Sequence, residues 1–330
     1  MQGNTLYYAD GTRFVVKGTS AYMVPFYSNG SGGADGGLSY VYGLQYPNRD
    51  KVFSFMKSLG INTVRISVAS YCYNDSTCGY NLGGKAGYLQ VVKDYADSAT
   101  AKGLYVVFGW WENGKTLPDK YTSYLPMMGD VVRKIGNNPL VMYEPWNEPY
   151  EISGAQWETV MNGTLDYYRK TLGYKGVLLI DTVDWSWSFG KILPNIKNVQ
   201  AKDAALMGGQ PNIIFANHRY ANNNRTFTAT EQSQFESEVT NYAQTYPIVG
   251  TEYGFFNGGG TYNPEWNKGF FAYITDTAVP KKGLNGGMIF NWSWVDYNSL
   301  TANDPLKLNE GQGDVAKDYF FAKLPSAPNK

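Results

Sequence analysis

The sequence predicts an α/β protein: a single (β/α)8 barrel, in which eight parallel strands alternate with helices and close into a cylinder. Eight short apolar runs, rich in β-branched residues, have the length of buried strands; they cover residues 14–18, 63–68, 104–110, 140–146, 176–181, 212–217, 247–252 and 287–292. Eight longer amphipathic segments follow them in turn, at residues 48–59, 87–102, 123–136, 155–172, 190–203, 231–246, 264–277 and 314–323. Strands that alternate with helices favour parallel pairing, and eight such units close a barrel.

The sequence shows no sign of a second domain. Its 330 residues are within the range of one such barrel, and no proline- or serine-rich linker, internal repeat or low-complexity stretch interrupts it. An Asp10-Gly11 turn within residues 7–13 predicts a β-hairpin that closes the bottom of the barrel. We therefore expect residues 1–330 to form one domain with an N-terminal hairpin.

Charge is sparse and balanced in this chain. Charged residues make up 17% of it, and 28 basic residues are matched by 28 acidic ones, with no run of either sign longer than two or three residues. The sequence therefore offers no patch for a nucleic acid or an anionic membrane surface, and it lacks the 18 consecutive apolar residues of a transmembrane helix. Aromatic residues reach 16%, and their flat apolar faces suit the C–H faces of sugar rings. A neutral polymer is the expected partner of a chain that we expect to be monomeric.

Two cysteines, Cys72 and Cys78, lie six positions apart in a polar stretch. In an oxidising compartment we expect them to close a small loop through a disulfide; two free thiols are the alternative. We expect a secreted protein whose signal peptide is not part of this sequence, because Met1 is followed directly by polar residues. With a single histidine besides these thiols, too few soft ligands remain for a zinc-type site, and no metal or other cofactor is expected.

Reactive side chains of such barrels lie at the C-terminal ends of the strands, because the loops that follow the strands form the mouth. In this sequence the predicted strand ends carry acidic, basic and aromatic residues together: Arg65, Trp110, Trp111, Glu112, Glu144, Trp146, Asn147, Glu148, His218, Tyr220, Glu252, Trp292 and Trp294. The prediction is therefore a single opening surrounded by carboxylates, one arginine, the only histidine and several tryptophans.

Glu148 and Glu252 end strands 4 and 7, which lie across the barrel from each other. Glycoside cleavage needs one carboxylic acid that protonates the leaving oxygen and one carboxylate that attacks the anomeric carbon. A separation of about 5–5.5 Å would give retention of configuration through a covalent intermediate. We expect Glu148 to be the acid/base and Glu252 the nucleophile, with Arg65 and the Tyr220 hydroxyl stabilising the charged form of Glu252.

Further polar residues near the mouth leave alternatives open. Glu144 shares strand parity with Glu148 but lies one layer deeper, where we expect it to pair with Arg65, and Glu112 is expected to line the cleft. A metal-dependent hydrolase using Glu112, Glu144 and Glu148 is one alternative, and a barrel that binds polysaccharide without cutting it is another. His218 is either a buried structural histidine or an active-site residue, and its position two residues before Tyr220 favours the second. A Ser-His-Asp triad is not favoured, because the sequence has no Gly-x-Ser-x-Gly turn.

Tryptophans are divided between the cleft and the core. Trp292 ends strand 8, where its face is expected to form a floor under the reacting sugar. Trp157 and Trp266 fall in helical segments and are expected to be core residues. The others near strand ends are expected to be partly cleft and partly ordinary packing: Trp110, Trp111, Trp146, Trp185, Trp187 and Trp294.

Two strand ends carry a family resemblance. Tyr143-Glu144-Pro145-Trp146-Asn147-Glu148-Pro149 resembles the strand-4 signature of glycoside hydrolase family 5, and Gly250-Thr251-Glu252-Tyr253-Gly254 resembles its nucleophile strand. The family's supporting residues are matched in order by Arg65, His218, Tyr220 and Trp292, so the resemblance spans nearly the whole barrel. It implies that Asn147 binds the 2-hydroxyl of the reacting sugar and that Arg65 and Tyr220 hold the nucleophile.

Two positions depart from the family pattern. Where many members have a histidine at the end of strand 1 and another after strand 3, this chain has Tyr22 and Trp111, which we count among the candidate substrate-binding residues. Asn291-Trp292-Ser293-Trp294 resembles the β-1,4-glucanases, whereas Gly18-Thr19-Ser20-Ala21-Tyr22 is nearer to the β-mannanases. The expected function is a retaining endo-β-1,4-glucanase acting on a β-linked polysaccharide. The alternatives are an endo-β-1,4-mannanase and another β-glucan or xyloglucan hydrolase.

Overall fold

A computed structural model describes residues 3–24, 48–68, 73, 84–110, 124–221, 226–255, 264–292, 300–301, 304 and 306–325. Its centre is a closed barrel in which the strands follow chain order and every neighbouring pair is parallel, including the first with the last. The strands are β1 (Val16–Val24), β2 (Thr63–Val68), β3 (Tyr105–Trp110), β4 (Val141–Glu144), β5 (Leu178–Asp181), β6 (Ile213–Tyr220), β7 (Ile248–Gly254) and β8 (Gly286–Phe290). The predicted (β/α)8 barrel is confirmed, and each predicted apolar run overlaps one strand.

Along the chain, helices follow the strands in turn. In the described part of the chain the longer ones are α1 (Arg49–Ser58), α2 (Gly84–Ala101), α3 (Leu125–Ile135), α4 (Gly154–Asp166), α5 (Leu193–Met207), α6 (Ala229–Phe235), α7 (Pro264–Tyr273) and α8 (Gln312–Ala316). Wider π-helical turns continue four of them, at Tyr167–Thr171, Glu236–Thr240, Ile274–Ala278 and Lys317–Phe321. Shorter helical segments are Val183–Ser186, Gly190–Ile192 and Val279–Lys282. Each predicted helical segment overlaps one of the eight longer helices.

Local sequence sets the start of two helices through capping boxes. Ser153 accepts a hydrogen bond from the Gln156 backbone N–H at the start of α4, and the Gln156 side chain accepts one in return. Thr228 and Glu231 repeat the arrangement at the start of α6. Such a box satisfies backbone donors that the first turn of a helix leaves free. Glu231 also accepts the indole N–H of Trp266 at 2.8 Å, which ties α7 to the start of α6.

The inside of the barrel is apolar at its lower end. Inward side chains from most strands form one buried cluster there, composed of Val16, Val107, Met142, Leu179, Ile214, Val249 and Met288. Leu6 and Phe14 pack into the same cluster, and Tyr7 pairs antiparallel with Arg13. The predicted hairpin is therefore present and closes the bottom. Because side chains alternate along a strand, the next inward position of each strand lies one layer higher, towards the mouth.

Three expectations have different outcomes. Within the described residues, no helix is both long enough and apolar enough to cross a bilayer. Cys72 and Cys78 both lie outside the described residues, so their disulfide stays a prediction. The extent of the domain, residues 1–330, also stays a prediction.

Candidate active site

The guanidinium of Arg65 on β2 lies at the centre of the mouth and is fully buried. Nη1 donates to Glu252 Oε1 at 2.5 Å, Nη2 donates to Asn147 Oδ1 at 2.6 Å, and Nε donates to Glu144 Oε2. The planar fork of an arginine can serve several acceptors in fixed directions, which a lysine ammonium cannot. Arg65 therefore ties the ends of β4 and β7 together, and Glu144 occupies the deeper position beside it.

Space for the contact between Arg65 and Glu144 comes from Gly109 on β3. Gly109 pairs in register with Glu144, and a Cβ atom at this position would lie 2.5 Å from Glu144 Oε2 and 3.1 Å from Arg65 Nε. A larger residue would displace the ion pair. Glycine is required here by close approach rather than by backbone conformation.

Glu252 lies on β7 with its carboxylate almost fully buried. Oε1 accepts from Arg65, and Oε2 accepts from the Tyr220 hydroxyl on β6. The register of β6 and β7 shifts after Asn217, so that His218 pairs with Glu252. Burial alone would raise the pKa of Glu252, but the charges of His218 and Arg65 and the Tyr220 hydrogen bond hold it below its ordinary value. The site favours Glu252 as a carboxylate.

Glu148 follows β4 and is partly exposed, with 14% of its side chain accessible. Oε1 lies 2.7 Å from His218 Nδ1, and one oxygen of Glu148, one of Glu252 and a nitrogen of His218 lie within 4.8 Å of one another. Burial raises the pKa of Glu148 above its ordinary value; the negative charge of Glu252 adds to this, and His218 opposes it. The site favours the protonated form of Glu148.

His218 links these two groups from below. Its ring is fully buried, and Nε2 lies 2.9 Å from Thr251 Oγ1. Burial lowers the pKa of His218, but Glu252 and Glu148 together raise it to about 9. A ring with this pKa is charged at neutral pH, and both ring N–H groups then donate, one to Glu148 and one to Thr251. His218 therefore belongs to the polar mouth and not to the apolar core.

Among the residues that the structure describes, two sets of three side chains have the spacing of a metal site: Glu144, Asp181 and His218, and Glu148, His218 and Glu252. The Arg65 guanidinium already binds both Glu144 and Glu252, and a charged His218 offers no lone pair to a metal. The donor set therefore suits proton transfer better than metal ligation. Glu112, which the metal-dependent alternative needs, lies outside the described residues.

The tryptophans divide between core and rim. Trp157 and Trp266 are buried, as expected, and so are Trp110 and Trp146. Trp292 is also fully buried, and its ring contacts Phe55 at a centroid distance of 5.8 Å.

Several predicted aromatic contacts remain predictions. Trp111 and Trp294 lie outside the described residues, as does the side chain of Tyr22, whose backbone forms part of β1. The sugar floor expected of Trp292 and the sugar contact expected of Asn147 also stay predictions.

Two residues of the mouth are not singled out by the sequence pattern. Trp185 shares its place near a strand end with several other tryptophans, yet its side chain is 47% exposed and stacks on Tyr150, with centroids 4.7 Å apart and planes at 8°. Asp181, at the end of β5, is the second. It lies two residues after the inward Leu179, as Glu144 lies two after the inward Met142, and this shared parity is the signal that could have found it.

Comparison with known proteins gives the family. The profile of the cellulase family (glycosyl hydrolase family 5) matches residues 24–298. The chain belongs to glycosyl hydrolase family 5. Endoglucanase A of Butyrivibrio fibrisolvens is 22% identical over 307 residues, which are 92% of this chain but only 62% of that relative. The predicted family and the predicted class of enzyme, a glycoside hydrolase, are confirmed.

Solved structures of a glucanase and a mannanase share the fold. A β-glucanase from Saccharophagus degradans matches with a TM-score of 0.70 and 18% identity, over 97% of this chain and 92% of that one. A β-mannanase from Thermomonospora fusca matches with a TM-score of 0.63 and 17% identity, over 99% of this chain and 97% of that one. A glucanase and a mannanase thus have the same barrel, and the fold does not choose between their substrates.

Arg65→Met is expected to lower the free energy of unfolding by about 3–5 kcal/mol, because it leaves Glu144 and Glu252 buried without their counter-charge. Arg133→Met is the control: Arg133 pairs with Asp130 at the surface, with 55% of its side chain exposed, and its loss should cost less than about 1 kcal/mol. Urea unfolding followed by circular dichroism measures both. If both variants lose a similarly small amount of unfolding free energy, the role given to Arg65 is wrong.

Proposed function

We propose that this chain is a retaining endo-β-1,4-glycosidase, and specifically an endo-β-1,4-glucanase, with Glu148 as acid/base and Glu252 as nucleophile. One observation carries the proposal: two carboxyl groups on opposite sides of the mouth have oxygens within 4.8 Å of each other and pKa values shifted in opposite directions. Paired carboxyls at such short separation suit double displacement, whereas inverting enzymes need about 6.5–9.5 Å to admit a water molecule.

In the first step Glu148 gives its proton to the glycosidic oxygen while a Glu252 oxygen attacks the anomeric carbon. The bond to the leaving sugar breaks, and an ester forms between Glu252 and the retained sugar. Arg65 and Tyr220 each hold one oxygen of Glu252, so the carboxylate approaches in a fixed orientation.

In the second step the ester has removed the negative charge of Glu252, and the pKa of Glu148 falls accordingly. Glu148 now takes a proton from water, the water oxygen attacks the anomeric carbon, and Glu252 leaves as a carboxylate. Two inversions at one carbon return the original configuration. His218 lies against Glu148 throughout and stabilises its ionised form between the two steps.

A β-linked glucan is the proposed substrate. Trp185 offers an exposed aromatic face, held by stacking of its other face on the nearly parallel ring of Tyr150, and its backbone N–H donates to the carbonyl of Pro149, next to Glu148. Such a face suits the apolar side of a neutral sugar. The Saccharophagus β-glucanase has been solved with cellotetraose and the Thermomonospora β-mannanase with mannohexaose, which supports a polymeric substrate in this fold. A polysaccharide is too large to enter a cell intact, so we also propose a secreted protein; the expected monomeric state stays a prediction.

Glu252→Ala is expected to lower turnover of a β-1,4-glucan by more than about a thousandfold, because the attacking group is lost. With an activated aryl cellobioside, added azide should restore activity in this variant and give the α-glycosyl azide, since azide then attacks from the face of Glu252. Azide should also restore the activity of Glu148→Ala, but there it attacks the covalent intermediate and the product is the β-glycosyl azide. Glu158→Ala, on the outer face of α4 beside Asn195 and Asn198, should remain fully active. A β-azide from Glu252→Ala would reverse the assignment.

The pH profile of kcat/KM is expected to be bell-shaped, with an acid limb from protonation of Glu252 and a basic limb from ionisation of Glu148. Tyr220→Phe removes a hydrogen bond that lowers the pKa of Glu252, so the acid limb should move to higher pH. Tyr253→Phe is the matched control, because Tyr253 is the next residue but packs against Phe270 in the outer core. Equal profiles for Tyr220→Phe and the unmodified protein would exclude a role of Tyr220 at the nucleophile.

Among carboxymethylcellulose, glucomannan, galactomannan and xyloglucan, the first is expected to release reducing sugar at the highest kcat/KM. Galactomannan cleavage in preference would favour the mannanase alternative, whose solved representative has the same barrel. No release from any of the four would favour a barrel that binds polysaccharide without cutting it.

A further inference from the structure

Asp181 is a buried carboxyl group in the mouth that the two-step reaction does not use. It ends β5 with only 1% of its surface exposed. Oδ2 accepts hydrogen bonds from the Glu148 backbone N–H at 2.8 Å and from the Ser186 hydroxyl at 2.7 Å. Asp181 therefore touches the main chain of the proposed acid/base.

The second oxygen of Asp181 has a different environment. Within the described residues, Asp181 Oδ1 and Glu144 Oε1 are both buried and have no hydrogen-bond donor, although the two side chains bring oxygens within 4.8 Å of each other. Two ionised carboxylates in this arrangement would repel each other and leave two buried acceptors unsatisfied. One proton between them satisfies both. Burial raises the pKa of Asp181 well above its ordinary value, and Glu144 raises it further, which assigns the proton to Asp181.

The surrounding charges agree with a neutral Asp181. Arg65 and His218 supply two positive charges, and Glu144 and Glu252 supply two negative ones around the same point. His218 Nε2 lies 3.8 Å from Asp181 Oδ2. An ionised Asp181 would compete with Glu252 and Glu148 for the charge of His218, whereas a neutral one does not.

We infer that Asp181 is a positioning residue for Glu148: as a neutral carboxylic acid it donates its O–H to Glu144 and accepts the backbone N–H of Glu148. The inference rests on the proposed role of Glu148 as acid/base. Glu148 and Ser186 both have left-handed backbone conformations, with φ of 48° and 61°, and both donate to the same Asp181 oxygen. Such conformations are costly outside glycine and persist where surrounding contacts hold them.

Two substitutions of Asp181 test whether its side chain acts as a neutral acid or as a carboxylate. Asp181→Asn keeps an oxygen for Glu148 and Ser186 and offers an N–H to Glu144, so it should retain nearly the full kcat/KM. Asp181→Ala removes all three contacts. It should lower kcat/KM about 100-fold for a phenyl cellobioside, whose departure needs a well-placed acid, and far less for the dinitrophenyl analogue, which leaves without a proton.

Infrared spectroscopy provides a readout that does not depend on turnover. The difference spectrum between the unmodified protein and Asp181→Asn at neutral pH should contain the C=O stretch of a protonated carboxyl group. Asp203→Ala is the matched control, because Asp203 is fully buried, accepts the Asn212 backbone N–H at 2.6 Å and pairs with Arg169 away from the mouth. It should lose stability and keep the same ratio of kcat/KM between the two leaving groups.

The outcomes are distinct. If Asp181→Asn loses as much activity as Asp181→Ala, or if the infrared band is missing, Asp181 acts as a carboxylate and the inference is overturned. If Asp181→Ala lowers kcat/KM equally for the phenyl and the dinitrophenyl cellobioside, Asp181 has a purely structural role and the inference is overturned. Glu148→Ala is run beside them: if it shows no dependence on the leaving group, the acid/base assignment itself fails, whatever Asp181 does.

Discussion

The buried guanidinium of Arg65 is the constraint on which the rest of the mouth depends. It places a permanent positive charge inside the barrel, where the loss of hydration is offset only by close hydrogen-bond acceptors. Glu144, Glu252 and Asn147 provide these acceptors. His218 adds a second positive charge, and in the described part of the chain four carboxyl groups, those of Glu144, Glu148, Asp181 and Glu252, lie around these two cations. Two carboxylates balance two cations. The other two carboxyl groups are therefore favoured in their protonated form. This balance accounts for the different protonation states of Glu148, the proposed proton donor, and Glu252, the proposed nucleophile, although both are glutamates.

The closed barrel makes that balance possible because it brings distant parts of the chain to one layer. Arg65, Glu144, Asp181 and Glu252 come from four strands, and the sheet holds them without help from any one loop. The apolar layer beneath, closed by Leu6 and Phe14 of the hairpin, keeps water from the lower side. Gly109 leaves room where side chains from neighbouring strands would otherwise collide. Apolar packing below and polar pairing above are thus two consequences of the same alternation along each strand.

Sequence patterns predicted the barrel well because most strands are continuous apolar runs. The predicted strand ends were least accurate where the strands enter the mouth. β6 continues to Tyr220 and β1 to Val24, beyond the predicted ends at 217 and 18, since polar inward residues break the apolar pattern there. Glu148, Glu252, Arg65 and His218 stood out as charged residues at strand ends. Asp181 did not, because it is the single acidic residue at the end of an apolar run, and only its shared parity with the inward Leu179 places its side chain inside the barrel. The exposure of Trp185 depends on the turn that carries it, which no periodicity reports.

The backbone around β5 explains why a neutral acid suits position 181 better than a carboxylate. Glu148, Trp185 and Ser186 all have φ between 48° and 61°, and these residues follow two neighbouring strands, β4 and β5. Strained turns on adjacent strands need a shared anchor, and Asp181 Oδ2 receives one N–H and one O–H from them. A carboxylate would accept the same bonds more strongly, but it would also draw His218 away from Glu148 and leave Glu144 facing a like charge. The neutral form keeps these hydrogen bonds and avoids both effects, so one proton on Asp181 supports the backbone geometry of the proposed acid/base and leaves the charge of His218 to Glu148 and Glu252.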